Sequence, residues 1–215
     1  MKRYAWVVSI ILLFDCVSQM WQRQMINSAY GVVPTGSHAD NPKYEMSIAI
    51  PNFTETRFSY LAGFAFTMFY ATSNLFFGVL SDNMSRKWLL GVCSIIWSAT
   101  SVFIGVSTAY WELFLARALL GIFAAALNPA AYSIVADYFP PELQTTPNAV
   151  LTIGKYTGTS LSSLSIILIE DVGWRLSYIS LGIFGAAVGL IIIIVIREPI
   201  RGSFKVSQLK PKSTE

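Results

Sequence analysis

The sequence predicts an all-α integral membrane protein of six transmembrane helices, and three observations carry that prediction. Of its 215 residues, 54% are hydrophobic and only 13% charged, where a soluble domain would have about 25% charged, and the mean hydropathy is +0.54. Apolar runs recur at roughly 5–25, 58–80, 88–107, 111–136, 148–169 and 174–196, each near the length of about 20 residues that spans a bilayer. Turn-forming segments separate them at 81–87, 107–110, 137–147, which holds Pro140 and Pro141, and 170–173,.

The spans and their connections account for the chain as a helical bundle over 1–202 and a short basic tail over 203–215, with a polar loop over 28–57 between the first two spans. Gly 14, Pro 9 and Cys 2 exclude collagen, disordered and disulfide-scaffold classes,. Cys16 and Cys93 both lie in apolar runs, so no metal site, redox framework or cofactor follows from them. The net charge of +3 is not gathered on one soluble face, which excludes nucleic acid as a partner. The partners implied are the lipid bilayer and a small-molecule substrate.

Lysines and arginines near span ends collect on the cytoplasmic side of a membrane. Lys2, Arg3, Arg86, Lys87, Arg197, Arg201, Lys205, Lys210 and Lys212 fall on one side; Lys43, Arg57 and Arg175 fall on the other, with Arg23 near a helix end. The count places both termini in the cytoplasm, in a multi-pass topology that suits a plasma or an endolysosomal membrane alike. The 28–57 loop then faces outward, where Asn52, Phe53 and Thr54 form an acceptor sequon for N-glycosylation,. Residues 1–18 also fit a signal peptide, with Lys2 and Arg3 as its charged start, 5–14 as its apolar core, and Cys16 and Ser18 near the cut,. Cleavage there would leave five spans and remove the first polar stripe.

Polar side chains inside a span are costly and usually face a bundle interior or a water-filled cavity. In the first span Asp15, Ser18, Gln19, Gln22 and Arg23 fall on one helical face,. Thr67, Tyr70 and Asn74 form a second stripe, Arg117, Gly121, Ala124 and Asn128 a third, and Thr152, Lys155, Tyr156, Thr159 and Ser163 a fourth. Spans three and six show only small residues and scattered hydroxyls. The expected arrangement is a path lined by spans one, two, four and five, with Asp15, Gln19, Gln22, Arg23, Tyr70, Asn74, Arg117, Asn128, Lys155, Tyr156 and Thr159 on it. The competing reading is interhelical glue at about 0.6 kcal/mol per hydrogen bond. For single hydroxyls glue explains more; for ions it explains less. Asp15 near the midplane either finds a cation or stays protonated, Lys155 could snorkel to an interface, and Arg117 cannot shed its charge. Three cations against one anion favour an anionic or phosphate-headed substrate. The pairs Gly154 with Gly158 and Gly185 with Gly189 read as close helix packing,, and Asn128 followed by Pro129 as a kink.

The segment Gly78, Asp82, Arg86 and Lys87 resembles the cytoplasmic signature of the major facilitator superfamily, in which a Gly, an Asp and a basic pair precede the third helix. Here Ser85 stands where that family usually has Gly, and Asn83 where it has a basic residue. Gly78 would let the helix end pack closely, and Asp82 would sit at a helix N-terminus. Arg117 with Gly121 resembles the superfamily's fourth-helix pattern. With 136–139, 173–175 and 197–202, the order and spacing are similar to Spinster-like members, carriers of lysophospholipids and sphingoid lipids. The resemblance covers residues 1–202. It implies one six-helix half of a secondary carrier, a gating loop at Gly78, Asp82, Arg86 and Lys87, and a second six-helix half supplied by a homodimer, another chain or a continuation. The Asp-Arg pair usual in the first helix aligns with Gln22 and Arg23, and the usual fourth-helix Glu aligns with Ala124. Asp15 is the acid that could substitute, and transport without proton coupling becomes a live reading.

Two further classes compete with the carrier. One is a non-transporting accessory or assembly subunit, or a truncated fragment of a twelve-helix carrier. The other is a membrane enzyme, which the chain does not support: its one histidine, His38, lies in the outer loop, and no nucleophile-base or paired-acid arrangement appears at helical spacing.

Overall fold

The computed structural model describes residues 2–31 and 41–198. His38, part of the 28–57 loop, Arg201, Gly202 and the 203–215 tail lie outside the described residues. The elements are α1 (Lys2–Gly31), α2 (Met46–Ala49), α3 (Glu55–Ser59), α4 (Phe66–Asn83), α5 (Arg86–Val106), α6 (Tyr110–Ala124), α7 (Leu127–Tyr138), α8 (Thr145–Val172) and α9 (Trp174–Val195). A π-helical turn, Tyr60–Ala65, fuses α3 to α4, so Glu55–Asn83 forms one rod. Tyr110–Tyr138 forms another, broken between α6 and α7. Among the described residues the result is an all-α bundle of six long helical rods.

The break between α6 and α7 has a local cause. Pro129 has no N–H to offer the Ala125 carbonyl one turn back. Ala125 N and Ala126 N instead donate to Ile122 O and Phe123 O at 3.3 and 3.2 Å, a tightened turn from which α7 restarts. Elsewhere helix ends are set by side chains. Thr54 Oγ1 accepts from Arg57 N at 3.4 Å before α3. The Glu112 carboxylate accepts from Thr108 N and Ala109 N at 2.6 and 3.1 Å before α6. Arg175 Nη1 donates to Gly105 O and Ser107 O at 3.1 and 2.6 Å, satisfying the carbonyls at the end of α5,. Gly173, at φ +92°, makes the sharp turn between α8 and α9,.

Five of the described rods are long and apolar enough to cross a membrane: those of α1, α3–α4, α5, α6–α7 and α9. α8 falls below that mark because Lys155 and a series of hydroxyls run through it. α1 packs along α8 and α5 along α9. The first pair approaches backbone to backbone: a Cβ at Gly154 would stand 2.8 Å from Leu13 O, and one at Gly158 2.5 Å from Val17 O. Only 17% of the apolar stretch in the α3–α4 rod is buried, against 61% in α5. α4 therefore edges the bundle, and α5 is its core.

Candidate functional site

The polar stripe of α1 divides into two faces. Toward α5 and α9, Asp15 and Gln22 are fully buried. Asp15 Oδ1 accepts from Ser94 Oγ at 2.6 Å. Gln22 Nε2 donates to Ser18 Oγ and Leu181 O at 2.8 and 3.2 Å, while its Oε1 accepts from Ser101 Oγ at 2.7 Å. Gly185 of α9 closes over this knot, with Gln22, Ser18 and Ser98 filling the space that a side chain there would need. Ser94, Ser98 and Ser101 lie at i, i+4 and i+7 of α5, one face of a helix. The serines expected to be scattered in span three are therefore a stripe, legible from that spacing, that meets the stripe of α1.

Gln19 turns the other way and donates through Nε2 to Ala124 O, at the break between α6 and α7, at 3.3 Å. The Arg23 guanidinium lies over the Phe66 ring at 4.5 Å and the Tyr70 ring at 5.6 Å,. From Tyr70 a chain of hydrogen bonds crosses three helices. The Tyr70 hydroxyl of α4 accepts from Asn128 Nδ2 of α7 at 2.8 Å. Asn128 Oδ1 accepts from Lys155 Nζ of α8 at 2.8 Å. Lys155 Nζ also donates to the Tyr132 hydroxyl at 3.0 Å and stands 4.8 Å from that ring's centroid. Sequence reasoning passed over Tyr132, although it lies one turn beyond Asn128 on the same face of α7. Arg23, Tyr70, Asn128 and Lys155 are half-buried and Tyr132 is exposed, so the network opens at the surface between α4 and α8, with α7 as its floor.

Besides Asp15, Gln19 and Gln22, four more predicted path residues stand outside this network. Asn74 is half-buried on α4 and is joined to it by none of these bonds. Tyr156 is 72% exposed. Thr159 is exposed and returns its hydroxyl to Lys155 O of its own helix at 3.0 Å. Arg117 is 1% exposed; one Nη1 bond reaches Arg23 O at 2.9 Å. Its guanidinium lies against the buried Tyr178 hydroxyl of α9, a contact too poorly aligned to give Nε or Nη2 a well-formed hydrogen bond. Gly121, one turn on, lies against Phe66 O, where a Cβ would come within 2.7 Å. No carboxylate among the described residues pairs with Arg117, Arg23 or Lys155. On insertion scales a buried charge costs about 2.5–3.5 kcal/mol, several times the worth of a glue contact. Packing alone does not repay these cations.

At the end of the bundle where α1 begins and α9 finishes, the predicted gating loop is held by partners the sequence reading did not assign. Arg86 forms an ion pair with Asp137 and donates to Ser133 O at 3.3 Å. Glu198 accepts from the Ser85 hydroxyl and, at 2.9 Å, from Arg86 N. Tyr138 OH donates to Arg197 O at 2.5 Å, and the Tyr4 hydroxyl links Arg197 N to Val195 O at 2.8 and 2.7 Å. Two expectations are corrected. Asp82 lies in the last turn of α4 rather than at a helix N-terminus; Glu198 occupies the start of α5 instead. Gly78 is not needed for close packing among the described residues, since a Cβ there meets none of them within 4 Å. Lys87 lies 5.7 Å from the centre of the Trp88 ring. Near the other end Asn52, exposed and at φ 58°, presents its side chain to solvent.

Apolar rods that enclose amides, hydroxyls and cations without a carboxylate partner describe a multi-pass membrane protein. The family model of the Major Facilitator Superfamily matches residues 7–214, and the chain belongs to that superfamily. Protein spinster of Drosophila melanogaster is 30% identical over 143 residues, covering 64% of this chain and 23% of that protein. Sphingosine-1-phosphate transporter SPNS2 of Xenopus tropicalis is 29% identical over 142 residues, or 64% and 27%. The crystal structure of a bacterial homolog to the human lysosomal transporter Spinster, inward-facing and unoccupied, superposes with a TM-score of 0.76 at 25% identity, over 94% of this chain and 45% of that one. The chain thus spans less than half the length of each of these relatives, to which it is similar in sequence and fold.

Proposed function

We propose that the chain is one half of a secondary carrier for an anionic, lipid-like small molecule, exposed alternately to the two sides of the membrane as two six-helix halves rock around it. The observation that carries this reading is the sign of the open face. It presents Arg23 and Lys155 on a floor of Tyr70, Asn128 and Tyr132, with no carboxylate, while Asp15 is turned away and bonded to Ser94. The Spinster-like relatives, one of them named for a sphingosine phosphate, support a lipid-like cargo. A second half, whether another copy, another chain or a continuation, would close the open side of α4 and α8. The balance of Lys and Arg supports cytoplasmic termini, with the Asn52 sequon outside.

The network also favours transport without proton coupling. Gln22, at the position aligned with the usual acid, has no proton to exchange and spends its amide on α5 and α9. The test is flux in proteoliposomes at defined oligomeric states, with a fluorescent alkyl phosphate and a cationic amphiphile of equal length as probes. The expected result is saturable movement of the anion alone, insensitive to a proton gradient. Absence of flux in every state would leave the chain as an accessory subunit and overturn the carrier reading.

A further inference from the structure

Arg117 is the cation that the open face does not use. It is 1% exposed, and Tyr178, whose hydroxyl lies against its guanidinium, is 0% exposed, so both are closed off from the surface between α4 and α8. Nη1 donates to Arg23 O at 2.9 Å, a bond to the backbone of α1 that holds the head group at depth and keeps it from snorkelling to the outer interface. The remaining edge of the guanidinium, Nε with Nη2, makes no well-formed hydrogen bond among the described residues, and the Tyr178 hydroxyl beside it makes none either. Nε–H and one N–H of Nη2 point the same way from a rigid planar fork, and the hydroxyl proton turns to suit its partner. Donors of α6 and α9 thus lie in contact with one another, without a well-placed acceptor among the described residues.

The charge is unmet as well as the hydrogen bonds. The ion pair of the described residues joins Arg86 to Asp137, not Arg117 to an acid. The guanidinium of Arg23 acts on Arg117 with the same sign and so adds to the surplus. Asp15 stands eight residues before Arg23, about 12 Å away along α1, with Oδ1 bonded to Ser94. A buried charge without a counter-charge is costly. A water molecule would answer the donors and leave the charge; an anion answers both. The closed surroundings admit no head group on a tail. A halide suits them: it is spherical, accepts donors from any direction, and carries the single charge that one guanidinium needs.

We infer that Arg117 and Tyr178 form a binding site for one halide ion, chloride under physiological conditions, held between α6 and α9 beside the Arg23 backbone of α1. The ion is the counter-charge of a buried arginine and ties together three helices that share no acid there. The site takes no side chain from the open face, so it stands or falls apart from the carrier reading.

The test is thermal unfolding of the full chain in detergent, titrated from sodium gluconate to sodium chloride at constant ionic strength. A ligand bound only by the folded state raises the unfolding midpoint, here by about 3 °C once chloride exceeds its Kd tenfold. Arg117→Gln should abolish the chloride response. Tyr178→Phe keeps the ring and loses one donor to a charged acceptor, so it should need about tenfold more chloride for the same rise. Lys155→Gln should respond as wild type does. Where Arg117→Gln fails to fold, the Tyr178→Phe titration decides. A wild-type midpoint indifferent to chloride would place water or nothing at the site and overturn the inference. So would a Tyr178→Phe titration that matches wild type, or a response lost in Lys155→Gln, which would put the ion on the open face. Each of these outcomes leaves the anionic-carrier reading to its own test of flux.

Discussion

On the side of α1 that meets α5 and α9, Ser18 and Gln22 are matched by serines, a carbonyl and the space left by Gly185. On the side that meets α4, α6 and α7, Arg23 stacks on rings with its donors free, and Arg117 is buried against the Tyr178 hydroxyl with no carboxylate among the described residues beside it. Both sides are polar and both lie in one bundle. They differ in what is left over once neighbouring helices have been satisfied. Where the Gln22 amide and the Ser18 and Ser101 hydroxyls meet their complements, the contact holds the bundle together, although Asp15 Oδ2 and the Ser98 hydroxyl on that side stay without a hydrogen-bond partner. Where cations meet only aromatic faces, amides and hydroxyls, the surplus is positive charge, and a ligand of opposite sign fits it.

That contrast can be broken at several points. The largest effect is expected where α1 and α8 touch. Gly158→Leu would force a side chain into Val17 O, which an added Cβ alone would approach to 2.5 Å. Overpacking of this kind costs about 1–3 kcal/mol or more, seen as a lower thermal unfolding midpoint in detergent or a loss of monodisperse protein. Next comes Gln22→Leu, which strands the Ser101 hydroxyl and the Leu181 carbonyl. A stability loss of about 1–2 kcal/mol is expected, with binding of an anionic amphiphile unchanged. Asp15→Asn keeps an acceptor for Ser94 and should shift stability by less than about 1 kcal/mol, again without effect on binding. The smallest effect belongs to Gly78→Ala, which meets no neighbour among the described residues; its unfolding midpoint should match wild type.

Much of the fold is written in the run lengths, because lipid forces every backbone group to bond within its own helix and so leaves long apolar runs few alternatives. The break in the α6–α7 rod was readable from Pro129, and the close approach of α8 from Gly154 and Gly158. The site was legible only in part. Helical periodicity picked out the stripe of α1, yet it cannot say which neighbour each side chain meets. Asp15 and Gln22 share a face with Gln19 and Arg23 by spacing, but a few tens of degrees around the axis separate α5 from α4. Ser94, Ser98 and Ser101 were missed because single hydroxyls in an apolar helix usually bond to their own backbone. Tyr132 was missed although Tyr70 and Tyr156 were counted; its place one turn beyond Asn128 on the same helical face is the signal that would have found it,. The partners of Arg86 were out of reach for another reason: Asp137 and Glu198 lie 51 and 112 residues away along the chain.

The most direct test is one titration of dodecyl phosphate carried out on three proteins: wild type, the Arg23→Gln and Lys155→Gln double variant, and Asp15→Asn. If the open face binds and the closed face only holds, the double variant loses about a hundredfold in affinity, two charge-assisted contacts at about tenfold each, while Asp15→Asn binds as wild type does. The account is contradicted if the double variant retains its affinity or if Asp15→Asn abolishes binding.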